Sequence, residues 1–160
     1  DVIDKVKRSA SQGYGSHVIF EEHYDPSIPN VNGDFDLLTQ AFHNIIKNSC
    51  EAVGKKGGRI VIKTSFYSGL ALGSSGQKSK KLQLMITISD NGPGISKNIL
   101  DDIFDPFSTT KIGGSGLGLS LVSKIIAEHG GFVDLDDLSQ GASFKIYLPA
   151  CDLSLLERMH

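Results

Sequence analysis

Three groups of residues have types and spacings that could do chemistry. The first is Asn44, Asn48 and Glu51. At 3.6 residues per helical turn, positions i, i+4 and i+7 share one narrow stripe. Two amide oxygens and a carboxylate in a row are hard ligands of the kind magnesium takes, a cation that keeps several waters and bridges substrate phosphates. Two Asn and a Glu that cap loops or face water would give the same pattern. The second group is Asp90-Asn91-Gly92-Pro93-Gly94-Ile95. A carboxylate leaving a strand end can accept a hydrogen bond from an exocyclic amine such as that of adenine. Gly92 and Gly94 would let the backbone turn sharply and pass close to a flat ring. An ordinary Asn-Gly/Pro-Gly turn has the same composition. The third group is Gly113-Gly114-Ser115-Gly116-Leu117-Gly118-Leu119, directly ahead of an apolar periodic segment. Glycine-rich backbone at a helix N-terminus gathers unpaired N–H groups at the positive end of the helix dipole, which suits phosphate. No Lys-Ser/Thr pair follows the last glycine, so this is not a Walker A loop. A loop precedes it where a dinucleotide fingerprint would have a strand. Lys111, just upstream, could reach a terminal phosphate; a solvated surface lysine is the plainer reading.

Periodicity supplies the elements that must position these groups. Leu37, Leu38, Ala41, Phe42, Ile45, Ile46, Ser49, Ala52 and Val53 recur at helical spacing. Asp34 is the expected N-cap of that helix, and Gly54, Gly57 and Gly58 its exit. Asn44 and Asn48 then border its buried face. Residues 59–66 and 82–89 alternate as strands, the second leading into Asp90. Between them, residues 67–80, rich in Gly, Ser and Lys, read as a long exposed connection. Residues 17–24 predict a further strand, 96–104 a short helix, 107–116 a loop and 117–129 a second amphipathic helix. Residues 132–138 and 142–148 predict a closing hairpin. At the start, Val2, Ile3 and Val6 read as the tail of an amphipathic helix, followed by a polar turn over 9–16. This order predicts an α/β two-layer sandwich, a mixed and mainly antiparallel sheet covered on one face by helices.

Composition narrows the function classes. One hundred and sixty residues, 39% hydrophobic and 21% charged, are enough for one core and too apolar for wholesale disorder. Sixteen Lys+Arg against eighteen Asp+Glu leave a net charge of -2, with no basic block for a nucleic acid or an anionic membrane. The apolar runs are too short to span a bilayer, and nothing at the start resembles a signal peptide. Cys50 and Cys151 cannot make a disulfide framework or a four-ligand zinc site, and a reducing, cytoplasmic setting is expected. Six of the eighteen glycines fall in the second and third groups, so the glycine excess belongs to those two loops.

In this order, the segments resemble the catalytic ATP-binding domain of two-component sensor histidine kinases, in the superfamily that also holds gyrase, heat-shock-90 and mismatch-repair ATPases. HNIIKNSCEAV (43–53) matches the N box, DNGPGI (90–95) the G1 box, IFDPFSTTK (103–111) the F box and GSGLGLSL (114–121) the G2 box. The likeness covers residues 17–149. HYDPSIP (23–29) with the helix at 35–53 is most similar to the NtrB-type nitrogen-regulation kinases. The resemblance implies a Bergerat-type fold with ATP and Mg2+ bound. Under it Asn48 is the magnesium ligand, and Asn44 contacts the phosphates; Lys47 faces the phosphates or water. Asp90 receives the adenine amine, with Gly92 and Gly94 shaping its pocket. Lys111 approaches the γ-phosphate from a lid anchored by Phe104 and Phe107, unless these two only pack. Gly114, Gly116 and Gly118 hold the phosphate chain. Further nucleotide contacts are implied at Ile95, Thr110, Leu117 and Leu119, and Asn44 and Lys111 are the catalytic positions.

One position separates the branches of that superfamily. Hydrolytic members place a Glu general base four residues before the magnesium Asn; here that residue is Asn44, which cannot accept a proton at neutral pH. ATP should therefore be held for a nucleophile brought from elsewhere, and a histidine imidazole is one near pH 7. None of His17, His23, His43, His129 and His160 has the context of a phosphoacceptor. The resemblance puts that acceptor on a separate dimerisation hairpin, with residues 1–16 as the connection from it and 150–160 as a C-terminal tail. The whole protein would be a homodimer serving a response regulator. A signalling module that binds nucleotide without transfer, or an ATPase, is the alternative.

Overall fold

A computed structural model describes residues 1–72, 78–96, 101–105, 118–137 and 140–150. Five strands form one sheet: β1 (Val18–His23), β2 (Gly58–Leu72), β3 (Lys78–Asp90), β4 (Phe132–Asp137) and β5 (Ala142–Pro149). Their order is β1-β2-β3-β5-β4, with β1 parallel to β2 and the other pairs antiparallel. Side chains alternate across the pleat, so one face collects Ile60, Ile62, Leu84, Ile86, Ile88, Phe144, Ile146 and Leu148, all buried. The register stacks them: Ile62 lies opposite Ile88, Ile88 opposite Phe144, and Ile86 opposite Ile146. Helices α2 (Phe35–Ala52) and α3 (Gly118–Glu128) cover that face with Ile45, Ile46, Val122, Ile125 and Ile126. This is the expected mixed sheet with helices packed on its apolar face. No helix among the described residues is long and apolar enough to cross a membrane.

Local sequence explains how the helices are held. Asp34 caps α2 as expected, accepting from the N–H groups of Asp36 and Leu37 at 2.9 Å each. The C-terminal end differs from expectation. Val53 is extended and buried, so α2 stops without a left-handed glycine, and Gly57 (φ 72°) serves the later turn into β2 instead. His129 binds the two helices together. Its Nε2 accepts from the Asp34 N–H at 3.0 Å, so the ring proton sits on Nδ1 and is donated to the Ile125 carbonyl at 2.7 Å.

Three boundaries are corrected. Helix α1 (Val2–Gln12) continues through residues 9–12, expected as a polar turn, because Ala10 packs against α2 with no exposed surface. The turn begins at Gly13, and Gly15 passes over Cys50, where a Cβ would come 2.9 Å from the thiol sulfur. β2 and β3 run further than 59–66 and 82–89, pairing out to Leu72 opposite Lys78. Antiparallel backbone hydrogen bonding does not depend on side-chain polarity, so the Gly/Ser/Lys composition concealed this extension. Of the expected helix over 96–104, residues 97–100 lie outside the described residues; Ser96 is not helical and 101–104 form turns, so the helix does not reach its expected ends. The loop at 107–116 lies outside the described residues.

Candidate functional site

Asp90 ends β3 at the edge of the core and is only 6% exposed. Its Oδ1 accepts the Gly92 N–H at 2.9 Å and the Ala142 N–H at 3.4 Å. Burial raises its pKa above the usual carboxylate range, against the opposing pull of those two N–H groups and the nearby Ser49 hydroxyl. Gly92 makes the tight return possible: a Cβ there would stand 2.9 Å from the Ala52 carbonyl oxygen and 3.0 Å from Asp90 Oδ1. Gly94 follows with φ 79°, a conformation that suits glycine. Asn91 is structural. Its Oδ1 accepts the Arg59 N–H at 2.8 Å and its Nδ2 donates to the Gly57 carbonyl at 2.9 Å, joining this turn to the start of β2. Ile95 packs, partly buried, against the core.

The α2 stripe stands where spacing placed it. Asn44 and Asn48 are half-buried at the border of the helix's apolar face, and Ser49 behind them is fully buried. Lys47 and Glu51 are exposed and pair with each other at 3.9 Å along the helix. Gly118, at the start of α3, brings the third group to the first: a Cβ there would lie 3.8 Å from Asn44 Oδ1. Leu119 and Phe104 are partly buried against the core, as plain packing would have them. Thr110, Lys111, Gly114, Gly116 and Leu117 lie outside the described residues, as does Phe107. No three His, Cys, Asp or Glu side chains cluster as a metal site among the described residues. An open groove lined by Asp1, Asp4, Lys5 and Arg8 lies on α1, away from these groups.

Asp90 beside Ser49 and Ala52, the helical amides Asn44 and Asn48, and the start of α3 beside Asn44 are thus arrayed along α2. Residues 33–152 match the family of histidine kinase-, DNA gyrase B- and HSP90-like ATPases. The chain belongs to this family. Its curated relatives include the sensory histidine kinase/phosphatase NtrB of Rhizobium leguminosarum bv. phaseoli, 42% identical over 98% of this chain and 41% of the relative. The NtrB of Rhizobium meliloti is 44% identical over 93% of this chain and 40% of the relative. The chain therefore spans about two fifths of the length of these relatives. Among solved structures, the mycobacterial sensor histidine kinase MprB superposes with a TM-score of 0.75 at 27% identity, covering 93% of each chain. The catalytic domain of the histidine kinase ThkA gives a TM-score of 0.75 at 28% identity, over 93% of this chain and 90% of that one. The expected family and fold are borne out.

Two contributors to this ATPase-family site are not visible from motifs. Gly141 has φ 93°, and a Cβ on it would collide with the Asp90 carbonyl. Its neighbour Ala142 supplies an N–H to the Asp90 carboxylate. In sequence, Gly141 is one more hairpin glycine; only the pairing of β5 beside β3 carries it to Asp90. The other is Ser49, whose place on the apolar stripe made it look like filler.

Proposed function

We propose that this chain is the catalytic ATP-binding domain of an NtrB-type sensor histidine kinase. It binds Mg-ATP and passes the γ-phosphoryl group to a histidine on a dimerisation domain of the same protein, in nitrogen regulation. One observation carries the reading: Asn44, where a hydrolytic site would hold a carboxylate base, stands half-buried beside Gly118. An amide there orients phosphate and leaves water without a base. The donor set suits magnesium, since half-buried amide oxygens supply few protein ligands and leave positions for phosphate and water. Asn48 would hold the ion, which when bound neutralises charge on the phosphates. Asp90, held by two N–H groups on Oδ1, accepts the adenine amine. The N–H groups at the start of α3 face the phosphate chain, and the resemblance gives Lys111 a part in holding the γ-phosphate. The acceptor imidazole nitrogen attacks the γ-phosphorus, the bond to the β,γ-bridging oxygen breaks, and ADP leaves with its electron pair.

In this reading residues 1–16 lead in from the dimerisation domain, 17–149 are the catalytic unit and 150–160 a tail. The whole protein is a homodimer that serves a response regulator. A cytoplasmic setting supplies ATP and keeps thiols such as that of Cys50, buried and free, reduced. Titration calorimetry tests the binding step. The parent domain should bind ATP in the presence of magnesium, Asn48→Ala should lose the magnesium dependence, and Asp90→Asn should bind at least tenfold more weakly, roughly the worth of one charge-assisted hydrogen bond. Equal binding by all three would refute the assignment.

A further inference from the structure

Helices cover one face of the sheet, and the other face carries three aromatic rings at the end where β5 leaves it. Phe132 of β4 stands directly opposite Tyr147 of β5, and Tyr147 opposite Met85 of β3. The Phe132 and Tyr147 rings stack at 4.3 Å, and Tyr67 of β2 meets Tyr147 edge-on at 5.1 Å. Tyr147 is buried between its neighbours, whereas Phe132 is 48% and Tyr67 41% exposed. Nearer Asp90 the same face changes character: Lys63, Thr87 and Lys145 stand in register there, followed by Ser89 opposite Ser143. A ring cluster left open is unfavourable in water, and contiguous apolar clusters of this kind mark contact surfaces.

The path of the chain selects the occupant. Pro149 ends β5 opposite Gln83, which in turn lies opposite Tyr67, so the residues after Pro149 set out from the border of the cluster. Residues 151–160, outside the described residues, read CDLSLLERMH. Leu155, Leu156 and Met159 have the i, i+1, i+4 spacing that shares one helical face, and Ser154 and Glu157 have the spacing of a capping box. From Tyr67 to Phe132 the cluster crosses three strand spacings, about 14 Å at roughly 4.8 Å each. Ten residues cover about 15 Å even when fully helical. We infer that residues 151–160 return over the open face of the sheet and lay their leucines on Tyr67, Tyr147 and Phe132. This gives the tail a docking place at the end of β3 away from Asp90, and it stands independently of the nucleotide reading.

Amide NMR spectra of the full chain test it, comparing the parent with a Leu153→Ser, Leu155→Ser, Leu156→Ser triple variant. All three positions follow the last strand, so the variant should keep the fold. Resonances of Tyr67, Gln83, Met85 and Phe132, distant in sequence from the substitutions, should shift, and those of α2 and Asp90 should stay in place. The variant should melt several degrees below the parent. Phe132→Ser should lower the melting temperature of the parent more than that of the triple variant, because the ring has already lost its cover there. Shifts confined to residues 149–160 overturn the inference, as do equal losses from Phe132→Ser in the two backgrounds. So do resonances of the ring cluster that move with protein concentration in the parent, which would make the occupant a second copy of the chain.

Discussion

In the adenine-binding role proposed for it, Asp90 combines two requirements that oppose each other. A carboxylate that accepts an amine must be ionised, and burial raises its pKa in the direction of the neutral form. An acid whose folded pKa is raised favours the fold most below its unfolded value, and that contribution is lost as pH rises through the folded value. At neutral pH the buried charge therefore weakens the empty domain. Asp90→Asn keeps an oxygen for the Gly92 and Ala142 N–H groups and removes the charge. It should melt at or above the parent at pH 7, and the difference should shrink in acid as the parent's Asp90 takes up its proton. ATP affinity in the parent should fall in the same acid range, at a higher pH than an ordinary carboxylate would give. Scanning fluorimetry and calorimetry from pH 4 to 8 check both halves. A variant that melts well below the parent at pH 7 would show that the charge stabilises the fold. Cys50 has no such function: burial pushes its thiol up to about 11, which leaves it protonated and inert.

At the scale of elements, the start of β5 belongs to the candidate site because Gly141 and Ala142 close on Asp90. Gly141→Ala meets both a left-handed backbone and a collision with the Asp90 carbonyl. Backbone strain alone costs about 1–3 kcal/mol, or several degrees of melting temperature at roughly 2–4 °C per kcal/mol for a chain of this size. Nucleotide affinity should fall with it, as Asp90 is displaced. Gly57→Ala is the control. Its φ is also positive at 72°, but a Cβ there meets nothing within 4 Å, so it should lose stability and keep ATP binding. Equal affinity losses in the two variants would contradict the role given to Gly141. These elements also mark what the sequence could disclose. The Asp34 cap, the α2 stripe and the Asp90–Gly94 turn were legible because each is a local pattern of residue type and spacing. The length of α1, the extension of β2 and β3, and the approach of Gly141 and Ser49 to Asp90 were not. Each depends on which distant segment lies alongside, and register between strands is set by the whole hydrophobic pattern and not by one window.

Over the described residues, one sheet and helices α1, α2 and α3 place the candidate groups along α2, with Asp90 at the end of β3 and Gly118 at the start of α3. α1 packs on α2 through Val6 and Ala10, so it rests on the helix that carries Asn44 and Asn48. Lys7 of α1 pairs with Glu22 of β1 as well. Under the proposed function such a domain holds the phosphates without a base for water, and its activity should appear only when an acceptor is supplied. The direct measurement mixes this chain with magnesium, γ-labelled ATP and a purified dimerisation domain carrying the phosphoacceptor histidine of an NtrB relative. Acid-labile label should accumulate on that histidine, with little inorganic phosphate released by this chain alone. Steady ATP hydrolysis by the chain alone, with no label on the histidine, would contradict the account.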